Sequence, residues 1–196
     1  MNAPDPRVAL VDTLIHARQH VGPKRLVAPG PDAATLRALF AAAAAAPDHA
    51  QLRPWRFLVL GMQARRTLGE VFAAALRERD PAALPEQVDE ARDKAFRGPV
   101  LVLAVLDLRA DAPDVPATER IVSLGGALQN LLLAAEARGW GCGLTSGRAL
   151  QTARMREAFG LAEGEHAVCC VTLGTPRQRK PPRQRPAVDT FVRWLD

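Results

Sequence analysis

The chain has 196 residues, 48% of them apolar and 24% charged, the composition of an ordinary globular domain rather than of a disordered or coiled-coil chain. At this length roughly 70% of the surface of the unfolded chain can be buried on folding, so a single domain over residues 1–196, with a core able to enclose a cofactor, is expected. The formal charge of +5 is local: the segment RQRKPPRQR at 177–185 holds five basic residues and no acid, and without it 21 basic residues face 21 acidic ones.

Met1-Asn-Ala-Pro-Asp-Pro-Arg7 lacks the basic start and apolar run of a secretory leader. The longest apolar stretches, 38–47 and 99–106, fall short of the ~18 to 20 residues of a membrane-spanning helix. A cytoplasmic chain with no membrane partner is the expectation. Cys142, Cys169 and Cys170 give an odd count without C-x-x-C spacing and read as structural thiols. His16, His20, His49 and His166 do not stand beside paired cysteines as zinc ligands do, so no metal is expected.

In chain order, Val8, Leu10, Val11, Leu14 and Ile15 recur at helical spacing and predict a helix over 8–17 that ends near Gln19 to Gly22. Asp32 predicts the N-cap of a second helix, rich in alanine and stopped by Pro47. The apolar runs 56–60 and 99–106 predict interior strands covered on both faces, with helices over 63–79 and 85–96 between them. A helix over 117–138 carries the small residues Ser123, Gly125, Gly126 and Ala127, suited to close packing, and is the predicted spine. A glycine-rich loop from Gly139, a short helix over 150–159 and a strand over 166–173 follow. The apolar end, Phe191 to Leu195, predicts a tail docked on its own body or on a partner subunit. Helices interleaved with a few buried strands imply an α+β or α/β three-layer domain.

The dinucleotide fingerprint G-x-G-x-x-G and the phosphate loop G-x-x-x-x-G-K-[ST] are both absent, and Ser146 lacks the preceding glycine of a nucleophile elbow. Three local clusters remain. Pro47-Asp-His49-Ala-Gln51-Leu-Arg53-Pro-Trp55 places polar groups in a proline-bounded turn, either as a plain connector or as donors to the rim of a bound ring system. Arg18-Gln19-His20 follows the first helix, where cationic and amide groups suit a phosphate or simply favour the helix dipole. Trp140 to Gly147 is rich in glycines that let backbone N–H groups turn toward a ligand, or merely form a loop.

The order of five blocks adds a resemblance. Ala46-Pro-Asp-His-x-x-x-Arg-Pro-Trp55, Lys94-Ala-Phe-Arg-Gly-Pro-Val100, Gly125-Gly-Ala-x-Gln-Asn130, Gly139-x-Gly-x-Gly143 with Ser146-Gly147, and Leu173-Gly-Thr-Pro176 occur in register. Together they resemble the nitroreductase family, in its short bacterial branch of YdjA-type NAD(P)H nitroreductases. The resemblance implies an α+β three-layer fold with a mostly antiparallel central sheet flanked by helices and a long helix in the core of a homodimer. It implies FMN at the dimer interface and NADH or NADPH as co-substrate. Arg18, Gln19 and His20 stand where the family has Arg-Arg-Ser around the phosphate, so Lys180, Arg183 and Arg185 of the basic segment (177–186) are expected to contribute there. His49 and Arg53 match flavin-contacting positions, Leu144, Thr145 and Ser146 match a segment lying against the flavin, and 134–139 matches one associated with the nicotinamide. A guanidinium at Arg53 near the charge that reduced flavin carries around N1 and O2 would raise its reduction potential.

The implied reaction is ping-pong hydride transfer to a nitroaromatic, quinone or related electron-poor acceptor. The chain contains no tyrosine, so a tyrosine proton donor is excluded and no catalytic side chain is assigned. An FMN carrier or a reductase of one metabolite is the alternative on the same fold. Nucleic-acid binding through the basic segment is a remote one, because that segment offers no aromatic residue for base stacking.

Overall fold

The computed structural model describes residues 5–109, 114–179, 181 and 184–195. The first helix, α1 (Pro6–Ala17), is capped by the Asp5 carboxylate and followed by the two-residue strand β1 (Leu26–Val27). Asp32 caps α2 (Ala33–Ala44), accepting the Thr35 N–H at 2.8 Å as the sequence predicts. Next come β2 (Trp55–Val59), α3 (Met62–Arg79), α4 (Pro85–Asp93) and β3 (Val100–Asp107). The spine helix α5 (Ala117–Ala137) leads to β4 (Gly141–Thr145), α6 (Ala153–Phe159) and β5 (Glu165–Pro176).

Side chains of a strand alternate between faces, and β3 uses both. Val102, Ala104 and Leu106 join a core with Leu39 and Ala43 of α2 and Leu124, Ala127 and Leu131 of α5. Leu101, Leu103 and Val105 join a second core with Leu68 and Val71 of α3 and Met155 of α6. The result is three layers, α2 and α5 on one face of the sheet and α3, α4 and α6 on the other. The four ladders between named strands are antiparallel. Both β3 and β4 pair with Cys170 to Leu173 of β5, so they occupy its opposite edges and the sheet reads β4-β5-β3-β2. Val168 is the extra residue of a bulge in β5, where the register with Ala104 and Val105 shifts.

Several sequence expectations change. The run over 56–60 is not an interior strand: among the described residues β2 pairs with β3 alone and lies at the sheet edge. Its apolar residues suit an edge here because Phe40 of α2 stacks on Phe57 and the Trp55 ring packs against Phe57 at a tilt. Most of the glycine-rich stretch is a strand rather than a loop, because Gly141 and Gly143 let β4 approach neighbouring backbone and side chains too closely for a Cβ. Phe191, Trp194 and Leu195 of the tail are exposed on this chain. The apolar face of α1 is bare as well, with Val8, Leu10, Val11 and Ile15 exposed. Among the described residues no helix is long and apolar enough to cross a membrane.

Two buried or half-buried arginines fix strand ends. Arg65 of α3, 6% exposed, donates to the carbonyls of Leu60, Gly98 and Pro99 at 3.2, 2.9 and 2.9 Å. It ties the end of β2 to the approach of β3. Arg56 of β2 forms a bidentate pair with Glu165 at the start of β5, at 2.7 and 2.9 Å.

That pair has a pH signature. Its hydrogen bonds to Arg56 hold the Glu165 carboxyl below the usual carboxylate range. The stability it adds is present above the unfolded value of roughly 4.3 and is lost as the pH falls through the lower folded value. Glu165→Gln should therefore show a shallower loss of urea stability than the wild type below about pH 4.3. An equally steep loss would mean that the pair contributes nothing.

Candidate functional site

The Arg18–His20 segment is positioned by main-chain contacts. The Arg18 N–H closes α1 on Leu14 O at 3.1 Å, His20 bridges Cys142 in parallel, and the Val21 N–H donates to Cys142 O at 2.9 Å. Gly143 makes this contact possible, because a Cβ there would lie 2.3 Å from Val21 O. Since α1 ends at Ala17, His16 and His20 do not share a helix face, although they are four residues apart. The segment is thus fastened to β4, which carries Leu144 and Thr145, with Ser146 directly after it.

Thr145, Ser146 and Gly147 open into a cavity of about 530 Å³ between β4, β5 and α3, within the roughly 300–1,000 Å³ of small-molecule sites. Its wall is basic, with Arg79, Lys94, Arg97 and Arg148 against the single acid Glu78. Glu78 pairs with Arg154, and Glu90 of α4 is shared by Lys24 and Arg97, so Lys94 keeps no ion pair among the described residues. The cavity also contains Cys170 and Thr172 of β5. Burial pushes the Cys170 thiol up to about 12 and the Cys142 and Cys169 thiols up to about 11, which leaves them protonated and unreactive. Thr172 Oγ1 is buried and has no hydrogen-bond partner among the described residues.

His49 and Arg53 lie elsewhere. Their loop is built on α5: Trp55 Nε1 donates to Ser123 Oγ at 3.0 Å, Ser123 Oγ donates to Asp48 Oδ1 at 3.4 Å, and Asp48 Oδ2 accepts the Arg53 N–H at 2.6 Å. The His49 ring meets Glu119 at 2.6 Å. Ala50, Gln51 and Arg53 all have positive φ, at 55°, 53° and 48°, a conformation that costs non-glycine residues energy and is kept where surroundings impose it. Both His49 and Arg53 remain exposed. This loop enters β2, three interstrand steps or about 14 Å from β4, so one chain does not bring the two clusters together.

Arg185 is exposed and touches neither cluster in the described contacts, and Arg183 and Lys180 lie outside the described residues. Arg179, at the start of the same segment, forms an ion pair with Glu136 on the last turn of α5. Sequence reasoning gave no site role to Arg79, Lys94, Arg97, Arg148 or Thr172. The signal for two of them was present, because Lys94-Ala-Phe-Arg97 is one of the family-like blocks. Which cations share a cavity with Thr145 depends on how α3 and α4 pack.

The architecture is the α+β fold of solved nitroreductase structures. It superposes on a nitroreductase-like family protein from Bacillus cereus with a TM-score of 0.81 at 18% identity, covering 100% of this chain and 98% of that one. The FMN-dependent nitroreductase NfnB from Mycobacterium smegmatis, in complex with NADPH, gives a TM-score of 0.73 at 16% identity over 97% of this chain and 100% of that one. In sequence, a protein of Haemophilus influenzae named "Putative NAD(P)H nitroreductase" is 34% identical over 174 residues, which are 88% of this chain and 93% of that protein. Residues 26–175 match the nitroreductase family, and the chain belongs to it.

Gly143→Ala is expected to destabilise the protein by about 1–3 kcal/mol in urea unfolding, since the added methyl group must force Val21 away from β4. The Val21 amide should lose hydrogen-exchange protection in the same variant. Retained protection would mean that the segment is not held through this contact.

Proposed function

We propose that this chain is an FMN-dependent NAD(P)H oxidoreductase that works as a homodimer. The observation that carries the reading is the basic cavity at Thr145 to Gly147 in a chain of the nitroreductase family. Its size suits a flavin ring, its cations suit an anionic cofactor, and the unpartnered Thr172 hydroxyl leaves a polar valence for a ligand. The similarity to a protein named as an NAD(P)H nitroreductase and to the FMN-dependent NfnB supports the cofactor and the co-substrate.

Thr145 and Ser146 lie against the ring, whereas Leu144, expected there from the resemblance, packs against the core on the other face of the sheet; Lys94 and Arg97 face the ring's more electronegative edge. Arg18 meets the phosphate, with Gln19 and His20 as hydrogen-bonding neighbours and Arg183 and Arg185 as further cations. His49 and Arg53 close the site from the partner subunit, because the sheet separates them from β4 of their own chain. A second copy would also cover apolar groups that one chain leaves bare: the outer face of α1, Ile121 and Val122 of α5, and Phe191, Trp194 and Leu195 of the tail.

When bound, FMN supplies a two-electron hydride relay, reduced by NAD(P)H and reoxidised in a second half-reaction by a nitroaromatic, quinone or similar acceptor. This reaction needs no covalent nucleophile from the protein. Its part is to hold the ring against β4, to place fixed cations where negative charge builds up, and to exclude water from the floor formed by β5.

The purified protein should carry the absorption bands of bound flavin and elute at the size of a dimer. A colourless chain that gains no bands on mixing with FMN, or a monomer that binds it fully, would overturn the reading. Arg53→Gln should lower the midpoint potential of the bound flavin, because it removes a cation that favours the more negative reduced form. An unchanged or higher potential would show that Arg53 does not face the ring.

A further inference from the structure

The segment joining α4 to β3 sets the orientation of one side chain on the cavity floor. Arg65 holds the carbonyls of Gly98 and Pro99 at 2.9 Å each. Gly98 has φ +75°, and a Cβ placed on it would lie 2.3 Å from Cγ2 of Thr172. The Thr172 methyl therefore rests on the bare face of Gly98, and its rotamer is set by packing. Thr172 pairs with Leu101 on one side and Gly143 on the other, at the middle of the sheet. It is 1% exposed, it lines the cavity with Thr145 and Lys94, and its hydroxyl has no partner among the described residues. Buried polar groups are almost always hydrogen-bonded, and one left without a partner destabilises the protein that carries it.

We propose that Thr172 is a cofactor-binding residue, whose hydroxyl hydrogen-bonds a nitrogen or carbonyl of the polar edge of the bound flavin ring. The inference rests on the reading of the cavity as the flavin site. A hydroxyl both donates and accepts, so it can serve either a ring nitrogen or a ring carbonyl. Because Gly98 fixes the side chain, the group is oriented before the ligand arrives, and little side-chain entropy is lost on binding. The folded chain carries an unsatisfied hydroxyl that the ligand completes. Stability without flavin and affinity for flavin are thus opposed at this one atom.

That opposition is the test. Thr172→Val keeps the shape and removes the hydroxyl, Thr172→Ser keeps the hydroxyl, and the full-length chain is titrated with FMN and with riboflavin by flavin fluorescence. Thr172→Val should bind both ligands about 5- to 30-fold more weakly, the loss of one hydrogen bond to a buried group, with Thr172→Ser within about two-fold of wild type. The flavin-free Thr172→Val chain should melt at or above the wild-type temperature. Unchanged affinity in Thr172→Val would overturn the proposal, as would a parallel loss of affinity and of flavin-free stability in both variants. A wild-type chain that takes up neither ligand would remove the flavin reading and this inference together, whereas wild-type uptake with unaltered Thr172→Val binding would remove only the role of Thr172.

Discussion

The pairing of β3 with β5, buried on both faces, is the constraint on which the rest of the molecule depends. Eight residues of β3 run antiparallel to β5, and their alternating side chains define the two cores that hold the helical layers. Because β5 continues to Pro176, beyond the partner of Val100 at Leu173, its far end receives β1 while its other edge receives β4. Every element of the cavity is placed relative to this strand. Thr172 and Cys170 lie on it, Thr145 is paired beside it, and Lys94 and Arg97 are fixed by the turn that starts its partner.

Close backbone approach decides the finer geometry. At Gly143 the neighbour is a carbonyl of the segment after α1, and at Gly98 it is the methyl group of Thr172. Both glycines lie on the cavity side of the sheet and act through the space a side chain would have filled. Arg65 complements them by supplying donors to carbonyls at the strand ends, which makes a cation buried without a carboxylate tolerable: its hydrogen bonds replace those of water. The Asp48–Ser123–Trp55 network does the equivalent for the other cluster, holding three residues of positive φ that would otherwise relax.

The division of the site between two places on one chain gives the proposed dimer a chemical purpose. His49 and Arg53 are exposed, held in a loop tied to α5, and separated from β4 by β3 and β5. In the proposed dimer the loop of one copy would meet the basic cavity of the other. The bare apolar residues of α1, α5 and the tail are what such a dimer would cover.

Much of this was legible in the sequence. The helical spacing in 8–17, the Asp32 cap, the apolar run of β3 and the small residues of α5 each follow from local physics, and the elements formed where they were expected. The ordered blocks from Ala46 to Pro176 carried the family. Local pattern could not rank the strands within the sheet, so β2 read as interior: an apolar strand looks the same whether its hydrogen-bonding edge is paired or free. Nor could it show β4, because Gly141 and Gly143 have low strand propensity and are there for close approach, a tertiary requirement. The cations Arg79, Lys94, Arg97 and Arg148 come from α3, the segment after α4 and the turn after β4, separate in sequence and adjacent only after packing. The sequence alone determined the elements, the family and the types of residue available to hold an anionic ring. Tertiary structure alone decided which of them share a cavity, which stay apart at the other edge of the sheet, and that one hydroxyl on β5 is buried without a partner among the described residues.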